Sequence, residues 1–261
     1  VAQWEGARLP YTDNLVNLLV VEDAAMVPEA ERMRVLAPLG TAYVRSGTTW
    51  EKAVKPWPAD IDEWTHDLHD AGGNAVGNDR VVGPPQHLQW TAGPVWARSH
   101  GYTPSVSAMV SAQGRVFYIC DETVSGVDDT VPSKWFLTAR DAFSGVQLWQ
   151  IPVPNWGSDD FSGVPNTDKT VTTGRFTMPP QLGKRLVALG DTVYVTLGAT
   201  APVTAIDAAT GAVRRVYAET AYADEILCVG GRLIVTLNPP VDVHTLVPGG
   251  PEPPSPPPGK Q

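Results

Sequence analysis

Ala139-Arg-Asp141-Ala-Phe-Ser-Gly145-Val-Gln-Leu-Trp149 returns, respelled, as Ala205-Ile-Asp207-Ala-Ala-Thr-Gly211-Ala-Val-Arg-Arg215. Each copy follows an apolar run and precedes another. Each places an Asp where one strand ends and a Gly in the turn behind it, where positive φ is cheap only for Gly. Internal repetition of this kind marks a sheet protein assembled from like units. The expectation is therefore a mainly β chain. Asp141 and Asp207 should accept hydrogen bonds from turn amides, Gly145 and Gly211 should sit in the turns, and Trp149 should pack between neighbouring units. In the second copy Arg215 stands where the Trp would be.

Outward from this phrase, three two-residue turns precede similar strands. They are Gln113-Gly114 before Arg115-Val-Phe-Tyr, Gly190-Asp191 before Thr192-Val-Tyr-Val and Gly230-Gly231 before Arg232-Leu-Ile-Val. A short turn, a polar residue and then apolar ones is how a hairpin is written. Val116, Val193 and Leu233 hold equivalent places, 77 and 40 residues apart. The shorter interval suits one four-stranded blade of a β-propeller, the longer a blade with an insertion around 154–180, where Asn, Ser, Asp, Thr and Pro dominate. The fold expected for 63–247 is a partial β-propeller of four-stranded blades.

Composition agrees with many turns and few exposed helices: 24 Gly, 25 Pro and only 18% charged residues. The net charge of −9 comes without any Lys/Arg run, which disfavours a nucleic-acid partner. No run of 18 apolar residues exists to span a membrane. Cys120 and Cys228, both in apolar strands, are read as two buried thiols in preference to a disulfide. With no CxxC and no Cys/His cluster, no metal site is expected. The start is neither a basic n-region nor an apolar h-region and has no Met, so the chain is read as a piece of a longer protein.

Residues 1–45 differ from the rest. Asn14-Leu-Val-Asn17-Leu-Leu-Val-Val21 reads as a strand buried on both faces. Pro28 opens a short helix with Glu29 and Glu31 at its positive end, and Pro38 and Gly40 are expected to close it. Thr41-Ala-Tyr-Val44 is then a second strand, completing a βαβ crossover. Residues 46–62 lack sustained periodicity and are read as a linker; Pro248 to Gln261 is a Pro-rich tail, expected to be extended. Arg8-Leu-Pro-Tyr-Thr-Asp13-Asn-Leu-Val-Asn17 followed by Arg34-Val-Leu-Ala-Pro-Leu-Gly40 resembles the later part of a class I S-adenosylmethionine-dependent methyltransferase, a Rossmann-like fold. The resemblance implies an acidic cofactor contact near Glu5. It departs from the family at Asn17, where an Asp is usual, and the cofactor's glycine-rich loop is absent.

Trp64-Thr-His66-Asp-Leu-His69-Asp70-Ala-Gly-Gly-Asn74 is the richest polar cluster. Two His with flanking carboxylates suit zinc or iron, and a ligand contact is also open. Without helical periodicity around them, the preferred reading is that His69, Asp70 and Asn74 tie down a turn. Together with the Ala-x-Asp-x-x-x-Gly repeat, the segments 63–90, 107–112 and 134–141 resemble the pyrroloquinoline-quinone-like propellers. These include quinoprotein alcohol dehydrogenases and outer-membrane assembly lipoproteins. The resemblance extends to large bacterial proteins that join a methyltransferase-like segment to such a propeller, and it implies an extracytoplasmic location. The adjacent Cys pair and the calcium ligands of the quinone enzymes are missing, as are a GxSxG nucleophile and a Walker loop. Fold alone licenses no activity. The expectation is a non-catalytic binding or assembly scaffold with no catalytic residue. A quinone- or S-adenosylmethionine-dependent enzyme fragment is the alternative.

Overall fold

The computed structural model describes residues 8–81, 88–93, 106–123, 133–156 and 181–239. The first sheet contains β1 (Val16–Val21), β2 (Leu36–Ser46) and β3 (Thr49–Val54), in that order, with β1 parallel and β3 antiparallel to β2. Helix α1 (Glu29–Val35) makes the crossover, entered through Pro28, with Glu29 and Glu31 in its first turn and Arg32 and Arg34 in its last. Those charges complement the helix dipole at both ends. Val21, Leu36, Ala42 and Val44 are buried, with Leu19 and Met33 packed against them.

Three expectations for this region are corrected. β1 is buried on one face only: Leu18 and Val20 are 59% and 56% exposed, because alternate residues face away from the cluster on which Leu19 and Val21 pack. The helix ends at Val35, before Pro38 and Gly40, both of which lie inside β2. There the register jumps from Val16↔Leu36 to Leu18↔Thr41, with Leu39 at φ 65°. Gly40 is required at this bulge, since a Cβ would lie 2.7 Å from the Ala37 carbonyl oxygen and 2.9 Å from that of Val16. Finally, the stretch read as linker contains β3, whose polar Thr49, Glu51 and Lys52 hide an otherwise regular pairing with β2.

The remaining strands make the chain mainly β. β4 (Val106–Ala112), β5 (Arg115–Asp121), β6 (Trp135–Asp141) and β7 (Gln147–Pro152) form one antiparallel meander. β8 (Leu186–Leu189), β9 (Thr192–Thr196), β10 (Val203–Asp207) and β11 (Val213–Tyr217) form a second, and β12 (Ala223–Val229) pairs with β13 (Arg232–Leu237) in a third sheet. The two-residue turns fall where the sequence put them. Gln113 and Gly114 both have positive φ, as do Gly230 and Gly231, whereas in Gly190-Asp191 only Gly190 does. Residues 63–81 and 88–93 contribute no strand, only an isolated bridge between His66 and His69. Among the described residues the first strand of the β region is thus β4, and the stretch near Trp64 expected to open it is not a strand.

Alternation supplies the cores. Val110, Phe117, Ile119, Leu137 and Trp149 of the first meander meet Leu186, Val193, Val195 and Ile206 of the second. On the second meander's other side, Val187 and Val203 meet Ala223 and Ile226 of the third sheet. β4 lies beside β8, and β8 beside β12. Among the described residues β13 pairs only with β12, leaving its outer edge open. Val229 and Ile234 are about half exposed, at 50% and 48%. Among the described residues no helix is long and apolar enough to cross a membrane. Residues 157–180 of the insertion expected around 154–180, residues 240–247 and the Pro-rich tail lie outside the described residues.

Candidate functional site

Trp64, Thr65 and His66 run in sequence past the first strands of three of the four described sheets, those of β4–β7, β8–β11 and β12–β13. The Trp64 carbonyl accepts from the Ser111 amide of β4 at 2.7 Å, and the Thr65 carbonyl accepts from the Ala188 amide of β8 at 2.9 Å. His66 Nε2 accepts from the Cys228 amide of β12 at 3.0 Å. A non-strand segment therefore fastens the three sheets where they converge. Of its members, Thr65, His66 and His69 are buried.

The two imidazoles are committed to different tasks. The Cys228 amide can only donate, so Nε2 of His66 must carry a lone pair and its Nδ1 the proton, which goes to Thr65 Oγ1 at 2.8 Å. Burial holds the His66 pKa below its ordinary 6.5, against an opposing pull from Asp70. His69, at φ 74°, sends Nε2 to Asp62 Oδ2 at 2.6 Å. The Asp62 carboxylate is held down at about 2 by the Asn78 amide above all, assisted by the Glu63 amide and His69. The Trp64 ring stands edge-on to His69 with centroids 5.4 Å apart, and its Nε1 donates to the Asp67 carbonyl.

Asp70 caps the next turn by accepting from the Gly72 amide at 2.8 Å. Asn74 differs from expectation: its backbone carbonyl, accepting from the Val76 amide, makes the turn bond in place of its side chain. Both Nε2 atoms of the His pair are spent on protein partners, and among the described residues no group of three or more His, Cys, Asp or Glu is arranged to hold a metal. Beside the segment, an open cleft of about 540 Å³ is lined by Trp64, Asp67, Val106, Met109, Ser111 and Val116. Its walls are mostly apolar, with Asp67 among the lining residues.

The repeated phrase folds twice into one geometry. Asp141 Oδ1 accepts from the amides of Phe143 and Ser144 and from Ser144 Oγ at 3.1, 2.6 and 2.7 Å. Asp207 Oδ1 accepts from Ala209, Thr210 and Thr210 Oγ1 at 3.0, 2.8 and 2.9 Å. The amides of Gly145 and Gly211 each bond to the carbonyl of their Asp at 2.9 Å. Trp149 lies against Gly211 and donates Nε1 to Ala208 O at 3.0 Å. Arg214 pairs with Asp207, and this is the main reason that carboxylate is held at about 2.

Sequence reasoning missed Trp90, which lies against Gly145 and donates to Ala142 O at 2.9 Å, repeating what Trp149 does one unit later. Asking which Trp serves the first copy, as Trp149 serves the second, would have found it. The Ser144 and Thr210 hydroxyls were also legible as matching positions. His66 could not be assigned its partner in this way, because Cys228 lies 162 residues away.

Cys120 and Cys228 are free thiols, the first buried and the second half-buried. Burial pushes Cys120 up to about 11 and Cys228 upward as well, which disfavours the thiolate a nucleophile needs. Glu5 lies outside the described residues. Within the segment the imidazoles of His66 and His69 are held by Thr65, the Cys228 amide and Asp62. No protein-family model and no curated protein matches this chain.

Proposed function

We propose that this chain is a non-catalytic β-propeller segment that serves as a binding or assembly scaffold within a larger bacterial extracytoplasmic protein. The observation that carries the reading is the convergence of β4, β8 and β12 on Trp64, Thr65 and His66. Successive antiparallel sheets whose first strands meet at a common line is the geometry of blades about an axis. The matched turns at Asp141 and Asp207 support it, since blade-like units reuse one connection. Committed imidazoles and high-pKa thiols favour a scaffold over an enzyme. Binding would fall to the apolar cleft between Trp64 and Met109.

A second reading rests on the parallel β1–α1–β2 crossover, which suits a methyltransferase-like segment. It leaves the scaffold proposal for the β sheets untouched.

The test is a high-resolution structure of the full-length protein combined with two assays of this chain. Expected are blades set radially around 64–66, no dye-linked oxidation of alcohols or sugars with quinone and calcium supplied, and no saturable heat on titrating S-adenosylmethionine. Quinone-dependent turnover, or sheets stacked without a common axis, would overturn the proposal. Tight S-adenosylmethionine binding would establish the second reading as a cofactor site.

A further inference from the structure

The hydrogen bond from the Cys228 amide to His66 Nε2 ties the third sheet to the central segment, and its direction is fixed by chemistry. A backbone N–H has no lone pair to offer. The imidazole must therefore stay neutral, with its proton on Nδ1, and the chain continues from Thr65 Oγ1 to the His69 carbonyl at 3.3 Å. An imidazolium would aim an N–H at another N–H across 3.0 Å. No rotation of the ring cures this, since both nitrogens would then be donors.

The opposite end of β12 is held by other means. Arg185 pairs with Asp224 and Lys184 with Glu225, each at 3.0 Å, and Ala223 and Ile226 are buried against Val187 and Val203. The Cys228 end has His66.

We propose that His66 is an acid-sensitive pin: mild acidification releases the Cys228 end of β12 from the central segment while both four-stranded meanders stay folded. The groups around the ring are Asp70, with Asp67 and the Asp62–His69 pair farther along the same segment. From the packed sheets come the Cys228 thiol and Tyr194 phenol, which interact with each other and are both pushed upward by burial, so they stay neutral in this range. Asp70 favours the charged ring, and burial opposes it more strongly. A histidine depressed in the folded state contributes its full stability above its free value of 6.5 and loses it as pH falls from there towards the folded value.

Amide hydrogen exchange of the whole chain between pH 7.5 and 5, corrected for intrinsic rates, tests this. The opening of Cys228 should rise by up to about tenfold for each unit below the free histidine value, then level off at the folded value. Amides of β5, β6, β9 and β10 should not follow. His66→Gln keeps an acceptor for the Cys228 amide but cannot titrate, so its exchange profile should be flat. Independently of any variant, the ¹⁵N shifts of the His66 ring at pH 7.5 should show the proton on Nδ1. Protection at Cys228 that ignores pH, an unchanged pH dependence in His66→Gln, or a proton on Nε2 would each overturn the proposal.

Discussion

Asp141 and Asp207 each gather three turn donors on a single oxygen, Oδ1. Oδ2 is left for a partner outside the turn, Asn17 in one copy and Arg214 in the other. Asp141→Ala strips acceptors from two amides and a hydroxyl, so urea unfolding should show a loss of roughly 1–3 kcal/mol. Asp141→Asn keeps the Oδ1 acceptor and should lose less; an unchanged midpoint in the Ala variant would reject the structural role. Asp62 makes a pH prediction. Its carboxyl is depressed from 3.8 to about 2, so its contribution is present above pH 4 and fades as pH falls towards 2. Asp62→Asn should flatten that part of the acid limb of a stability–pH curve. The Asp turns were legible because every donor lies within three residues of the acceptor. Asp62 was not, because its main partner Asn78 is 16 residues on and belongs to no regular element.

At the scale of elements, hairpin turns announce themselves through Gly, and the structure puts them where Gly said. Gly145 and Gly211 are the most constrained of them: φ is +72° and +76°, and a Cβ would meet the Trp90 ring at 2.5 Å in the first and the Trp149 ring at 2.9 Å in the second. Gly211→Ala should therefore cost more than the ~1–2 kcal/mol of a left-handed residue alone. Trp149→Ala, which empties part of the core between the two meanders, should cost roughly 3–5 kcal/mol. Trp90→Ala should cost less, since that ring is only half-buried and lies at the margin. Equal losses for the two Trp variants in thermal unfolding would contradict this ordering. β3 escaped notice because Thr-Trp-Glu-Lys-Ala-Val shows no apolar alternation, its residues being mostly exposed. The two-sided burial read into β1 failed because an apolar run does not say how many faces a neighbour will cover.

Across the whole molecule, mainly β character and the succession of sheets could be read from repeats, while the central segment could not. Its bonds reach three strands far apart in the chain, and no local pattern encodes that. The join between the first sheet and the first meander is likewise non-local. Asn17 Nδ2 donates to Asp141 Oδ2 at 3.0 Å, Gln89 reaches Phe143 O at 2.8 Å, and Trp57 meets Phe143 edge-on. Asn17→Asp would set two carboxylates against each other there. It should lower stability by less than about 1 kcal/mol because the site is exposed, with the loss shrinking in high salt. A loss indifferent to salt would contradict the electrostatic account. The open outer edge of β13 has another consequence. A strand whose outer amides and carbonyls pair with no other strand among the described residues, with half-exposed Ile234 and Leu237 and a single charge at Arg232, is a template on which foreign strands can grow. In concentrated solution this rim is where self-association should begin, visible as light scattering that rises with concentration. Thr236→Lys, which puts a charge on the rim, should suppress it.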